Sequence, residues 1–170
     1  DNAAELTAKG AELELFAALT DDLKITAGLA YLDSTYDKFE GASDPEFGTV
    51  DASGNKNPVS PDWSFNFSVD YERQLSSSGV LIANLDYVYK DEYFSNLNLT
   101  NHPFGVTDAM GLLGGRIGYR SHSEQWGVYL WGKNLTDADK VIRRFVLGRG
   151  GNKEQYIQPR TYGLTVNYQF

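Results

Sequence analysis

Between Lys140 and Lys153 the chain carries Lys140, Arg143, Arg144, Arg149 and Lys153 with no acid among them, although its formal net charge is -8. Cations at that density suit one kind of chemistry: attraction of an anion and charge-assisted hydrogen bonding to its oxygens. Plain solvation of loop charge is the competing reading. The same stretch contains "GRGGNK", Gly148 to Lys153. It has the glycines of a phosphate cradle but lacks the Gly-Lys-Ser/Thr ending and the following helix. Upstream, His102 and Phe104 in Asn101-His-Pro-Phe104 offer either a ligand contact or an ordinary turn.

Other chemistry is thin. There is no cysteine, so thiol nucleophiles, disulfides and thiolate metal sites are excluded. The two histidines, His102 and His122, are too few for a histidine-rich metal site. Asp91-Glu92 is a pair of acids at a strand end, which fits a solvated rim better than a general acid and base. Asn98-Leu-Thr100 and Asn134-Leu-Thr136 match the N-glycosylation acceptor pattern. The net charge argues against nucleic acid as a partner. The expectation is therefore a binding protein, with no catalytic residues, metal or cofactor.

The elements that must position these residues are strands. Leu13, Leu15, Ala17 and Leu19 alternate with Glu12, Glu14, Phe16 and Ala18, and Leu23, Ile25, Ala27, Leu29 and Tyr31 alternate with Lys24, Thr26, Gly28 and Ala30, a pattern running on to Phe39. In "WSFNFSVDYE", Trp63, Phe65, Phe67, Val69 and Tyr71 oppose Ser64, Asn66, Ser68, Asp70 and Glu72. Leu81 to Lys90 repeats the pattern, Ala109 to Tyr119 does so more weakly, and Tyr162, Leu164, Val166, Tyr168 and Phe170 close the chain against Thr161, Gly163, Thr165, Asn167 and Gln169. This period of two predicts strands with one apolar face. "WGVYLWGKNL" is amphiphilic on both faces, and its pattern leaves the inside unassigned. The count is seven strands, with no long amphipathic helix.

Connections alternate in length. Short links fall near Asp21, Ser77 and Ser123; long ones run from Glu40 to Asp62, Ser95 to Thr107 and Leu135 to Gln158. In an antiparallel meander alternate links share an end, so one end carries tight turns and the other large loops. That asymmetry, with aromatics such as Tyr31, Tyr36, Phe39, Trp63, Tyr71, Tyr89, Tyr93, Phe94, Tyr119 and Trp126 gathered toward strand ends, is the organisation of a transmembrane β-barrel. No run of about 18 apolar residues exists for a membrane helix. Bacterial barrels usually close on an even strand number, eight or more, and an open sheet in lipid leaves unsatisfied edges. Residues 1–170 therefore read as part of something larger. The start at Asp1-Asn-Ala-Ala4, with neither initiator Met nor signal peptide, agrees.

Six segments carry a resemblance: "KGAELEL" (Lys9 to Leu15), "LAYLDSTYDKF" (Leu29 to Phe39), "NPVSPDWSFNFSVDYE" (Asn57 to Glu72), "LDYVYKDEYF" (Leu85 to Phe94), "WGKNLTD" (Trp131 to Asp137) and "QPRTYGLTVNYQF" (Gln158 to Phe170). In this order they resemble the C-terminal part of the barrel of TonB-dependent receptors, the gated importers of the bacterial outer membrane. The resemblance implies an all-β up-and-down meander, seven strands of a 22-stranded barrel, with the plug domain and earlier strands upstream of Asp1. It implies energy-coupled import of a ligand such as an iron-siderophore, cobalamin or an oligosaccharide. Implied partners are outer-membrane lipid and lipopolysaccharide, the barrel-assembly machinery, the plug and upstream strands, and the inner-membrane TonB complex through the N-terminal part.

On that reading Tyr162, Leu164, Val166, Tyr168 and Phe170 resemble the assembly signal of outer-membrane proteins. The basic loop, with Lys140, Arg143, Arg144, Arg149, His102 and Phe104, faces outside, toward an anionic iron-chelate, a carboxylated sugar or the phosphates of lipopolysaccharide. A passive porin or a surface-adhesion barrel is the alternative, and a soluble β-sandwich binding module is the third.

Overall fold

The structure, a computed structural model, describes residues 4–44, 47–76, 78–95, 101, 103–146 and 151–170. Strands follow in chain order: β1 (Glu5–Ala18), β2 (Leu23–Lys38), β3 (Ala42–Asp44), β4 (Gly48–Val50), β5 (Trp63–Gln74), β6 (Gly79–Lys90) and β7 (Tyr93–Phe94). A 3₁₀ turn at Pro103–Gly105 precedes β8 (Val106–Thr107), β9 (Met110–Ser121), β10 (Trp126–Lys133), β11 (Val141–Val146), β12 (Asn152–Tyr156) and β13 (Thr161–Tyr168). Seven of them form one antiparallel sheet in the order β1-β2-β5-β6-β9-β10-β13. That is the meander expected from the alternation.

The links sort as expected. Among the tight turns, Thr20 Oγ1 accepts the Asp22 N–H at 3.2 Å, and Ser121 Oγ accepts that of Trp126 at 3.2 Å. Ser78 N–H reaches Leu75 O at 2.9 Å, while Ser77 itself lies outside the described residues. The three long links are more than loops. Each folds back as its own two-stranded hairpin, β3 with β4, β7 with β8 and β11 with β12. Pairing within each link satisfies backbone groups that the large sheet cannot reach.

Register makes the faces continuous across the sheet. One row runs Ala17, Ile25, Val69, Leu85, Gly115, Gly132, Tyr162, and the neighbouring row runs Ala18, Lys24, Asp70, Asn84, Arg116, Trp131, Gly163. The first belongs to an apolar face and the second to a polar one. This settles β10, whose pattern was ambiguous: Trp126, Val128 and Leu130 pair with Tyr168, Val166 and Leu164 and so join the apolar face. Tyr129, Trp131 and Lys133 share the polar one.

Among the described residues nothing packs on the apolar face. Leu13 is 67% exposed and Leu164 65%, and among the described residues the buried apolar ones are only Ala42, Ala52, Val80 and Val141. A β-sandwich would cover such a face with a second sheet about 10 Å away, and the other sheets among the described residues are two-stranded. A contiguous apolar face of this extent requires an apolar medium or partner. Rings flank it near the strand ends: Tyr31 and Trp63 lie 4.8 Å apart toward the long links, and Tyr119 and Trp126 lie 5.2 Å apart toward the tight turns. Tyr36, Phe39, Tyr93 and Phe94, expected in the same belt, serve the long links instead. Tyr36 donates to Asn57 Oδ1 at 3.4 Å and Tyr93 to Ile142 O at 3.0 Å.

Candidate functional site

The basic stretch divides when it folds. In β11 the residues alternate, so Arg143 and Phe145 fall on one face of the β11/β12 hairpin and Arg144 on the other. Arg144 pairs in register with Glu154, Nε to Oε1 at 2.9 Å. Its Nη1 donates to Val106 O, its guanidinium lies 5.6 Å from the Phe104 ring centroid, and its N–H donates to Ser95 Oγ at 2.7 Å. Arg144 thus joins the hairpin to the preceding long link. Tyr156 Oη also donates to Glu154, at 2.8 Å. That hydrogen bond first, and the one from Arg144 next, hold the Glu154 carboxyl below its ordinary range. The same contact raises the Tyr156 hydroxyl.

Arg143 and Lys153 are exposed on the opposite face, where the Arg143 guanidinium lies 5.6 Å over the Phe145 ring and Phe145 pairs with Lys153. Lys140 stands at the hairpin base, 4.0 Å from Asp108. The structure therefore brings Phe104 and Arg144 together, places Lys140 beside the same link, and turns Arg143 away. His102, Arg149, the acceptor pattern at Asn98-Leu-Thr100 and the first three residues of Gly148 to Lys153 lie outside the described residues.

Sequence reasoning missed the residue that anchors this arrangement. Asn134 is buried at 8% exposure. Its Nδ2 donates to Ala138 O at 2.9 Å and Gln158 O at 3.1 Å, while Oδ1 accepts the Ala138 N–H at 2.9 Å. One amide thus ties the entry of the last long link to its exit. Its one sequence signal, the first position of Asn134-Leu-Thr136, points to an acceptor pattern and not to a link-closing amide. Ser95, 4% exposed, and Glu154 were likewise not singled out. On the first long link Lys56 plays a similar part, with Nζ 2.8 Å from Asp62 and 3.1 Å from Asp33. The hydrogen bond to Asp62 pushes its pKa up against the opposing effect of burial.

At the other end, Tyr162, Leu164, Val166 and Tyr168 line the apolar face of the edge strand β13. Phe170 follows with its ring 5.0 Å from that of Tyr168, and Gln169 N–H donates to Gln125 O at 2.8 Å in the last tight turn. The C-terminal aromatic and the basic hairpin therefore occupy opposite ends of the sheet. Among the described residues no group of acids or histidines could hold a metal ion.

Comparison with known proteins defines the class. The family described as TonB dependent receptor-like, beta-barrel matches residues 1–135, and the chain belongs to it. Among solved structures, the ferric yersiniabactin uptake receptor FyuA from Yersinia pestis superposes with a TM-score of 0.80 at 18% identity, over 99% of this chain and 24% of that one. The siderophore receptor PiuA from Acinetobacter baumannii gives 0.79 at 22% identity, over 98% and 22%. The ferric citrate transporter FecA gives 0.70 at 20%, over 96% and 24%. At these identities the likeness is one of fold, and the chain spans about a quarter of each of these structures.

Proposed function

We propose that this chain forms the C-terminal third of the wall of an outer-membrane importer, a receptor that captures an anionic ligand outside and passes it inward with energy from the inner membrane. The observation that carries the reading is the two-faced sheet: an apolar row and a polar row run side by side across all seven strands, with every long link at one end. Lipid satisfies the apolar face and an aqueous lumen the polar one. The free edges of β1 and β13 call for further strands, because unpaired edges in lipid cost several kcal/mol per unsatisfied group. A 22-stranded barrel supplies them, along with a plug and a contact to TonB in the remainder of the protein.

Two observations support a ligand class: the names of similar structures, which include ferric yersiniabactin and ferric citrate, and the outer cations. An iron chelate of negative charge fits both. Lys140, Arg143, Arg144, Arg149, His102 and Phe104 are the loop residues we assign to its capture; among the described ones, Lys140 and Arg144 stand by carboxylates and Arg143 does not. Lipopolysaccharide phosphates compete for the same cations. In the full-length receptor, uptake of radiolabelled iron complexes by cells should stop when the inner-membrane energy source is removed. Uptake that continues unchanged would make the barrel a passive pore and overturn the importer reading.

A further inference from the structure

We propose that the peptide bond between Pro58 and Val59 is a two-state switch that latches the first long link onto the second. Such a switch lies beyond the importer reading and does not depend on it.

Val59 has a φ of 61°. Among the described residues other than glycine with positive φ, it alone branches at Cβ; the others are Ser76, Asn101, Glu124, Asn134 and Asp137. A branched Cβ crowds the backbone in this region, so the conformation is strained. The sequence shows how the strain arises. Pro58 and Val59 are the middle of a turn, and Pro in the second place followed by a positive φ in the third is the type II pattern, whose third place ordinarily takes Gly or Asn. Proline in the second place suits a type I turn equally well, and there the third residue has an ordinary negative φ. The two turns differ by a flip of the peptide between their middle residues.

The flanks of this turn are fixed to β2. Asn57 N–H donates to Ser34 O and Leu32 N–H to Asp62 O, both at 2.9 Å, while Asn57 Nδ2 reaches Ser60 Oγ across the turn at 3.1 Å. The Val59 side chain is 52% exposed, so its packing does not hold the angle. The strained form gains its partner across the gap between links: Val59 N–H donates to Phe94 O on β7 at 2.8 Å. That N–H belongs to the peptide that flips. In the relaxed turn it points to the opposite side, and the bond to Phe94 is lost as the strain is relieved. The net worth of one backbone hydrogen bond and the strain of such a residue are of the same order. Both forms are therefore populated.

Beyond Phe94 the links are locked together. Ser95 Oγ accepts the Arg144 N–H at 2.7 Å, Tyr93 Oη donates to Ile142 O at 3.0 Å, and Thr107 Oγ1 donates to Tyr93 O at 3.0 Å. The second and third links thus move as one body. The first joins them through a hydrogen bond that carries its own strain, and the outer links part at this seam.

The test uses the purified full-length receptor in lipid nanodiscs, without ligand, carrying spin labels on cysteine pairs. Thr49→Cys with Glu92→Cys spans the seam, and Glu92→Cys with Lys153→Cys spans the second and third links; all three sites are exposed. Pulsed electron resonance should find two distances across the seam when Val59 is present, and one between the second and third links. Val59→Gly, which takes a positive φ without steric cost, should raise the ratio of the short to the long seam distance by about tenfold. Exchange of the residue 59 amide, corrected for the intrinsic rate, should slow in the same variant. Val59→Pro, which has no N–H and a fixed negative φ, should leave only the long distance across the seam and the single distance between the other two links. A seam distribution that Val59→Gly leaves unchanged overturns the switch, as does a Val59→Pro variant that keeps the short distance. None of these readings involves uptake, so their failure leaves the importer reading standing, and loss of energy-dependent uptake would leave the switch standing.

Discussion

Arg144 and Glu154 face each other across the outer hairpin, Nε to Oε1 at 2.9 Å, and this pair commits one cation of the basic stretch to structure while its neighbour Arg143 remains exposed. Adjacent residues on a strand point to opposite faces, so two arginines with the same sequence surroundings have different work. Arg144→Gln should speed amide exchange of the hairpin by about tenfold or more, through loss of charge-assisted hydrogen bonds. Arg143→Gln should leave that exchange unchanged while weakening capture of an anionic chelate. Hydrogen exchange by mass spectrometry, followed on peptides spanning 141–156, reads the first effect. Equal loosening in both variants would contradict the partition.

The same pair gives the hairpin a pH dependence of known sign. The folded hairpin holds Glu154 below its ordinary pKa, chiefly through Tyr156 and then Arg144. The contribution is therefore complete above the ordinary glutamate value of about 4.3 and is lost as pH falls through the lowered folded value. Exchange in the hairpin, corrected for the intrinsic rate, should rise on that acid side, and on the alkaline side only where Tyr156, raised by the same contact, loses its proton. Glu154→Gln should remove the dependence and start from a looser hairpin. A rise centred on neutral pH would point to another group.

Asn134 makes a separable prediction, because its three amide hydrogen bonds close the base of the last link and touch nothing at its tip. Asn134→Ala takes the amide partner from Ala138, which is half-buried, and from Gln158, which is exposed, so water replaces part of the loss and the local cost is about 1 kcal/mol. Amides at Ile157, bonded to Lys140 O, and at Asp137, bonded to Asn134 O, should lose protection while the central strands keep theirs. Asn134→Asp, which keeps the acceptor and loses both donations, should recover part of the protection at most.

Legibility followed the range over which the chemistry acts. Period-two alternation is local, so β1, β2, β5, β6, β9 and β13 could be read directly, as could the tight turns. β10 could not, because Trp126, Tyr129 and Trp131 put rings on both faces; only pairing with β13 assigns them. The long links looked irregular because their strands are as short as two residues at Tyr93–Phe94, below the length at which alternation shows. For the site, the density of cations was visible but their division was not. It depends on the β11 register against Glu154.

The arrangement of links predicts which residues an impermeant reagent can reach. Thr49, in the β3/β4 hairpin, and Ser123, in the last tight turn, are both exposed and occupy opposite ends of the sheet. In the full-length receptor on intact cells, Thr49→Cys should react with a membrane-impermeant maleimide and Ser123→Cys should react only after the outer membrane is opened. The reverse pattern would invert the barrel, and equal labelling would remove it from the membrane.

Phe170 tests the last element and the edge it completes. The ring stands against Tyr168 beyond the end of β13, and Gln169 still bonds to the tight turn at Gln125, so the terminal aromatic is held at the tight-turn end without being packed into a core. Its contribution to the stability of an assembled barrel should then be small. If Tyr162, Leu164, Val166, Tyr168 and Phe170 act as an assembly signal, the loss should appear in the rate instead. Phe170→Ala in the full-length receptor should lower the amount of heat-modifiable, folded barrel reached per unit time in cells, while barrels that do assemble unfold at the wild-type temperature. Thr165→Ala, on the polar face of the same strand, should assemble at the wild-type rate. A Phe170 variant that assembles normally would leave the terminal ring as an ordinary lipid-facing aromatic, and one that assembles normally but melts earlier would make it a packing residue.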